Sequence, residues 1–520
     1  MPVASVRNSK ENKMNRKKTW LVAIAVLLCL GTAGRTAAQE QKPTHHHYKL
    51  IVIEPLGGPT SSASGPDQLI LNNRGTFAAY ANTPTANPNA NCFIPFNAGD
   101  CFVEHPVLWH KGTLTDLELL PGGANGQTVA ISENGLIAGF SENGMTDPLS
   151  GLPVGRAVLW TKDGKVIDLG TVPGGTGSIV IAVNNHGQAV GFSDNDVSDP
   201  FSMVGGFATQ TRAYLWQNGV IRDLGTLGGP DAIAGNVNER GQIAGISFTD
   251  SNASSNCPWA LTTHPFFWEN GKMTDVGSLG GTCAGVSWMN NRGQVVGFSN
   301  VAGDQSNHAF VWDEGHGLKD LGTLPGGSFS GANWINDAGE IAGASDVSNG
   351  GHAVLWKNGA MIDLGLLPGD CNSEALAINS QGQIVGNSSP DCIVDGNVVL
   401  WENGSAPVNI NTLVTPASDV TAVYALEIND RGEIAAHGFT PTGDQRGVLL
   451  LPCDENHPDL EGCDYSLVDA AAIKRSTQLI APAQAAAKTT SQTLSSAEQM
   501  AQIRSMTALR RGRFYALAQK

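Results

Sequence analysis

The chain carries little charge for its length. Of 520 residues only 15% are Asp, Glu, Lys or Arg, while 63 are glycine, a balance that fits a turn-rich all-β protein better than a helical one. No C-x-x-C pair and no Cys/His cluster with zinc spacing is present, which weighs against a structural metal site. A nucleophile elbow, an H-E-x-x-H motif and a P-loop are also missing, so catalysis has no local signature and no cofactor is implied. Carboxylates brought to one channel by separate segments would escape such a search. The net charge of −16 understates the acidity of the body, because both chain ends are basic, and this argues against nucleic acid or an anionic membrane as partner.

The first 38 residues have the pattern of a secretory signal peptide. Arg16-Lys17-Lys18 precede an apolar run from Leu21 to Leu30, and Thr36-Ala37-Ala38 offer small residues for cleavage before Gln39. Met14 opens a better-proportioned signal, which leaves an over-extended start at residues 1–13 as the expectation. Cys29 sits inside the apolar run behind Leu28 rather than a small residue, which weighs against lipidation. The mature protein is expected outside the cytoplasm, secreted or periplasmic. Residues 39–47 are expected to be a linker, with His45-His46-His47 exposed rather than a metal patch, and the body spans 48–469. Residues 470–520 form a basic tail rich in Ala, Gln, Ser and Thr, helical or disordered. The tail lacks the roughly 20 apolar residues of a membrane span, and a clamp on an acidic surface is the sharper alternative for it.

After signal removal eight cysteines remain, in four sequence-local pairs: Cys92 with Cys101, Cys257 with Cys283, Cys371 with Cys392, and Cys453 with Cys463. In an exported chain this pattern favours disulfides.

One cassette recurs eight times, clearest in residues 288–327. Trp288-Met289-Asn290 enters the turn Asn290-Asn291-Arg292-Gly293; then come His308-Ala309-Phe310-Val311-Trp312, Asp320-Leu321-Gly322 and Pro325-Gly326-Gly327. A period of roughly 45 to 55 residues marks a propeller or stacked array. Each copy holds four short apolar stretches, the pattern of four antiparallel strands. The first two are joined by Asn-x-x-Gly (Ser132 to Gly135 in one copy), and the last two by tight turns such as Asn270-Gly271. The eighth copy has no fourth strand of its own, whereas Tyr48-Lys49-Leu50-Ile51-Val52-Ile53 is an orphan at the other end. The economical solution is an all-β propeller of eight four-stranded antiparallel blades, closed by the N-terminal strand joining the C-terminal blade. Seven blades is the nearest miscount.

The segment from His308 to Trp312 followed by Asp320-Leu321-Gly322-Thr323-Leu324 resembles the HAF-repeat family of extracellular bacterial proteins. The resemblance covers about residues 48–451. It implies export and a propeller-like fold, and brings no catalytic residues to transfer.

Fixed positions of the cassette are expected to be structural. His105, His264, His308 and His352, with Arg156 and Arg212 in equivalent places, would face Asp116, Asp275, Asp320, Asp363, Asp168 and Asp223 on the neighbouring strand in charge-assisted hydrogen bonds. A four-His metal site is the competing idea. The repeated Trp, from Trp109 to Trp401, is expected to pack between blades, with sugar stacking as the alternative. One position is not fixed. It runs Ile70, Ala130, Ala182, Asn236, Trp288, Trp334, Ala377 and Glu427; equivalence of the copies would set Trp288 and Trp334 on adjacent blades beside Asn236, as an aromatic platform or as local packing. Long insertions at 80–104, 142–155, 194–210 and 248–263 lie on one face, where recognition commonly resides. Asp194, Asp196 and Asp199 there suggest calcium less well than a solvated turn. The favoured expectation is a non-catalytic, monomeric scaffold binding an extracellular protein or glycan; a polysaccharide hydrolase or lyase with carboxylates in the channel, and a structural surface component, are the alternatives.

Overall fold

A computed structural model describes residues 44–469, except 66–67, 89–100, 150, 163, 205–208, 255–256, 258–260, 349, 391–395, 403–404 and 459. The expected signal peptide and tail, together with Cys92 and Cys392, lie outside these residues. Among the described residues there is no α-helix, only a single 3-10 turn at Ile410–Thr412, and no helix long and apolar enough to cross a membrane.

The strands fall into consecutive four-stranded antiparallel groups, and the fold is a β-propeller. In the sixth group the order is Ser330–Ile335, Ile341–Val347, Gly350–Lys357 and Ala360–Gly365, each paired with the next. Counted along the chain, the described residues form eight such groups, here units 1 to 8. A lone parallel bridge from Thr263 to Cys283 joins units 4 and 5, and another from Gly351 to Asn372 joins units 6 and 7. The sequence dictates the hairpins locally. Gly293 and Gly339 hold φ of 81° and 86°, and both members of Asn218-Gly219, Asn270-Gly271 and Asn358-Gly359 have positive φ, as a tight two-residue hairpin requires.

Unit 8 is completed from the other end of the chain. Tyr48–Ile53 pairs antiparallel with Gln445–Pro452, Tyr48 opposite Pro452 and Ile53 opposite Gly447. Among the described residues no sheet runs from unit 8 into unit 1; side chains make that crossing. Asn429 Nδ2 donates to the Asn72 carbonyl at 3.0 Å, and Gln445 Nε2 donates to Ser62 Oγ at 2.6 Å.

One expectation is corrected. Residues 39–47 are not all linker: Thr44–His46 forms a two-stranded sheet with Leu467–Asp469. His45 is 1% exposed with its Nδ1 2.7 Å from Glu402 Oε1, so the imidazole is sealed by a carboxylate partner rather than left in solvent. The inner strands are also not regular. In seven units the register shifts just before the variable position, for example between Ala332 and Trp334, a β-bulge that sharpens the local twist.

The core lies between units. Trp160 is fully buried and its Nε1 donates to the Glu118 carbonyl of the preceding unit at 2.7 Å; Trp356 and Trp401 do the same to Leu321 and Leu364. The largest apolar cluster runs across units 6, 7, 8 and 1, joining Trp334, Leu376, Tyr424 and Trp109, so the seam is packed as a core rather than left as an edge.

Candidate functional site

The first turn of each unit builds one end of the molecule. Asn238 shows the local logic: Oδ1 accepts from Arg240 N and Gln242 N, both at 3.0 Å, while Nδ2 donates to Gln242 Oε1 at 2.7 Å and to the Asn290 carbonyl of the next unit at 3.1 Å. The outward bond repeats from Asn184 to Asn238, Asn290 to Asn336, Asn336 to Asn379, Asn379 to Asn429, Asn429 to Asn72 and Asn72 to Ser132. Ser132 has no amide, and there Asn134 Nδ2 donates to the Asn185 carbonyl at 2.7 Å. A circle of hydrogen bonds therefore links all eight turns. Sequence reasoning gave this Asn only its hairpin; the second task was not visible from one copy.

The second residue of each turn forms a rim in which carboxylates alternate with neutral side chains. Glu133, Glu239, Asp337 and Asp430 alternate with Asn73, Asn185, Asn291 and Ser380. Each carboxylate accepts the backbone N–H of the preceding turn: Asn73 N to Glu133 at 3.0 Å, Asn185 N to Glu239 at 3.2 Å, Asn291 N to Asp337 at 2.9 Å and Ser380 N to Asp430 at 2.8 Å. The neutral amides take the same part, as in Glu239 N to Asn291 Oδ1 at 3.1 Å. Burial raises the Glu133 carboxyl above its ordinary range despite the Asn73 bond.

Inside the rim is a cavity of about 260 Å³ lined by residues of every unit. Trp288 and Trp334 meet there, ring centroids 3.7 Å apart and planes 14° from parallel. They are neighbours, as the repeat implied, but they cover one another. Trp334 is 7% exposed, whereas Trp288 is half-buried and offers the accessible ring. Asn236 also lines the cavity, yet its Oδ1 accepts from Met289 N at 3.1 Å, so it ties unit 4 to unit 5. Glu427 acts likewise across the seam: Oε2 accepts from Ile70 N at 2.8 Å and Leu71 N at 3.0 Å. It is 2% exposed, and burial pushes its carboxyl up to about 8. Five lining residues are acidic and none is Lys, Arg or His.

The remaining sequence candidates lie elsewhere. Nδ1 of His105, His264, His308 and His352 stands 3.0, 3.0, 2.9 and 2.9 Å from Asp116, Asp275, Asp320 and Asp363, and Arg156 and Arg212 engage Asp168 and Asp223. Burial alone would raise the Asp275 carboxyl, but the hydrogen bond and charge of His264 hold it below its ordinary value. These pairs join the two outer strands of their units, and none lines the cavity. Cys257–Cys283 and Cys453–Cys463 are disulfides; Cys101 and Cys371 are also bonded, with the expected partners Cys92 and Cys392 outside the described residues. On the looped face, Asp194 is engaged rather than simply solvated: it accepts from Thr176 N, Gly177 N and Thr176 Oγ1. Met145, Leu149, Val197 and Phe201 are exposed there.

No family model matches the chain, and no curated protein matches it. Among solved structures it is similar to the β-propeller domain of the Trilobed protease from Pyrococcus furiosus, at 9% identity over 70% of this chain and 95% of that one, with a TM-score of 0.38. It is also similar to the acylaminoacyl peptidase of Pyrococcus horikoshii, at 10% identity and TM-score 0.38, over 73% of this chain but only 58% of that one. A third is the oligogalacturonate lyase of Vibrio parahaemolyticus, at 9% identity over 80% of this chain and 99% of that one, with a TM-score of 0.41. Those likenesses carry no argument about activity at such identities and scores.

Proposed function

We propose that the chain is an exported, closed eight-bladed propeller of the HAF-repeat type, and that it binds an extracellular ligand at the mouth of its central channel. Export rests on the signal-like residues 1–38 and the disulfides. Closure is supported by Tyr48–Ile53 pairing in unit 8 and by the Asn429 bond to Asn72. The observation that carries the binding reading is the cavity itself. Its frame is repeated eight times, while the side chains at the variable position differ from unit to unit, with two Trp, one Asn and one Glu among aliphatic residues. Concave, partly aromatic sites with a few fixed polar groups are where ligands dock. The site lies at the end opposite the long insertions, so the looped face is not needed for it.

The test is a screen of the mature chain against neutral, anionic and cationic small molecules and oligosaccharides by tryptophan fluorescence and thermal shift. Binding that disappears in Trp288→Ala supports the channel mouth; binding undiminished in that variant moves recognition to another surface.

Glu427 favours a second reading, cleavage of a polysaccharide. A carboxyl raised to about 8 is still protonated at neutral pH and so suited to donate a proton. Cleavage products released from neutral or acidic polysaccharides by the native chain, and absent with Glu427→Gln, would establish it.

A further inference from the structure

We propose that the channel mouth takes a linear aliphatic amine, with one ammonium group seated beside Glu427 and Trp288 and a second cation held at the carboxylate rim. This rests on the channel mouth being the binding site. Three independent features of the cavity select that chemistry.

The wall is acidic and its basic neighbours stand outside it: His186 Nδ1 lies 3.4 Å from Glu239 Oε2 and the Arg74 charge reaches Glu133, but neither residue lines the cavity. Glu133, Glu239, Asp337 and Asp430 stand at the rim and Glu427 below it, whereas the arginines of the same turns are absent from the lining. Arg240 instead reaches along the outside to the Arg292 carbonyl, and Arg431 to the Asn456 carbonyl. A cleft lined by one sign of charge concentrates ligands of the other.

The rim amides are committed to the wall itself, as Asn73 Nδ2 is to Glu133 and Asn291 Nδ2 to Asp337, while two side-chain oxygens below the rim are not met. Glu427 is 2% exposed, and both backbone N–H groups that reach it go to Oε2, leaving Oε1 without a hydrogen bond among the described residues. Gln68 is 5% exposed and lines the same cavity, and its buried Oε1 has no partner. A primary ammonium supplies three N–H donors for these two oxygens, and seating it beside Glu427 releases to solvent the proton that the carboxyl otherwise holds at neutral pH.

The third feature is the ring of Trp288. Its stack on Trp334 fixes it in place and leaves an aromatic surface for a methylene chain or a cation–π contact. A cavity of about 260 Å³ reaching from Glu427 to the rim admits a short chain, and five carbons with a nitrogen at each end is the probe chosen.

The experiment is calorimetric titration of the mature protein with 1,5-diaminopentane, 1-aminopentane and 1-pentanol, which share a carbon chain and differ in charge. The diamine is expected to bind at least about 10-fold more tightly than the alcohol, the monoamine between them, with an advantage that shrinks as salt rises. Glu427→Gln keeps an acceptor for Ile70 and Leu71, and Asp430→Asn keeps one for Ser380; each should weaken the diamine by roughly 10-fold and leave the alcohol unchanged. Equal affinity for all three probes, lost in Trp288→Ala, would overturn the cation while leaving the binding site standing. Failure of every probe in this series and in the wider screen would overturn both.

Discussion

Replacing Asn379 or Asn429 by alanine removes the same set of bonds at two places in the ring. Asn379 Oδ1 accepts from Gln381 N and Gln383 N at 3.1 and 2.9 Å, and Nδ2 donates to Gln383 Oε1 and the Asn429 carbonyl at 2.8 and 2.9 Å. Asn429 accepts from Arg431 N and Glu433 N, both at 3.0 Å, and donates to Glu433 and, across the seam, to the Asn72 carbonyl at 3.0 Å. The two side chains are 3% and 5% exposed, so water replaces these bonds poorly. A neutral hydrogen bond contributes about 1 kcal/mol net, and stranded buried groups cost more; four bonds per residue, partly rehydrated, give a cost of about 2 to 4 kcal/mol for each substitution. The assay is urea unfolding with disulfides intact, followed by tryptophan emission, comparing midpoints at unchanged slope. A closed ring makes the two costs equal within about 1 kcal/mol. A cost of about 2 kcal/mol or more at Asn379 with less than about 0.5 kcal/mol at Asn429 would refute closure at the seam.

Further outcomes follow from particular groups. Trp160→Ala removes a fully buried indole with its bond to Glu118 and should cost about 3 to 5 kcal/mol in the same unfolding assay. Cys453–Cys463 closes a separation of 10 residues beside the pairing of Tyr48–Ile53 with unit 8; the double Ser variant should lose about 2 to 3 kcal/mol, and an unchanged midpoint would contradict that. Burial opposes the His457 charge, but hydrogen bonds and charge from Asp454 and Glu433 outweigh it and raise the imidazole above its ordinary value. That contribution is fully present below the unfolded pKa of about 6.5 and is lost as pH rises through the higher folded value; His457→Gln should flatten the fall in stability above neutrality, as read from midpoints between pH 6 and 9. Glu427 behaves in the same sense for a different reason. Its folded value of about 8 lies above the ordinary carboxyl value, so stability declines as pH climbs from about 4.5 to 8, and Glu427→Gln should remove that slope.

The fold was legible in the sequence because its signals are local and repeated. Asn-x-x-Gly turns, Asn-Gly hairpins and the buried Trp each report on a few neighbouring residues, and repetition filters out chance. The orphan Tyr48–Ile53 could be placed by counting, since an unpaired strand at each end has one economical remedy. The small sheet of Thr44–His46 and Leu467–Asp469 escaped because three residues carry no periodicity and their partner is over 400 positions away. The site was half legible. Comparing copies singled out Trp288 and Trp334, but not that they would stack on each other. The rim carboxylates sit at the second turn residue, where stacking the eight turns would have shown acid alternating with neutral. Gln68 had no signal at all, because its unit's inner strand is cut to Ser61–Ser62, and beyond it the ladder is reduced to an isolated bridge from Leu71 to Phe77 while the N–H groups of Ile70 and Leu71 go to Glu427.

The rim joins stability to recognition through the same atoms. Each carboxylate is oriented by a backbone N–H of its neighbour, so its position is set before any ligand arrives and binding incurs little reorganisation. That bond needs an acceptor, not a charge. An amide of the same shape satisfies it, as Asn291 does for Glu239 N and Asn73 for Asp430 N. Charge at four of the eight positions is therefore not demanded by the fold. Glu427 sharpens the point: Asn236 makes the equivalent inter-unit bond as a neutral amide, yet the seam uses a carboxylate that burial disfavours and leaves its second oxygen facing the cavity. Selection for stability alone would favour glutamine there; a ligand that brings positive charge would reverse the preference.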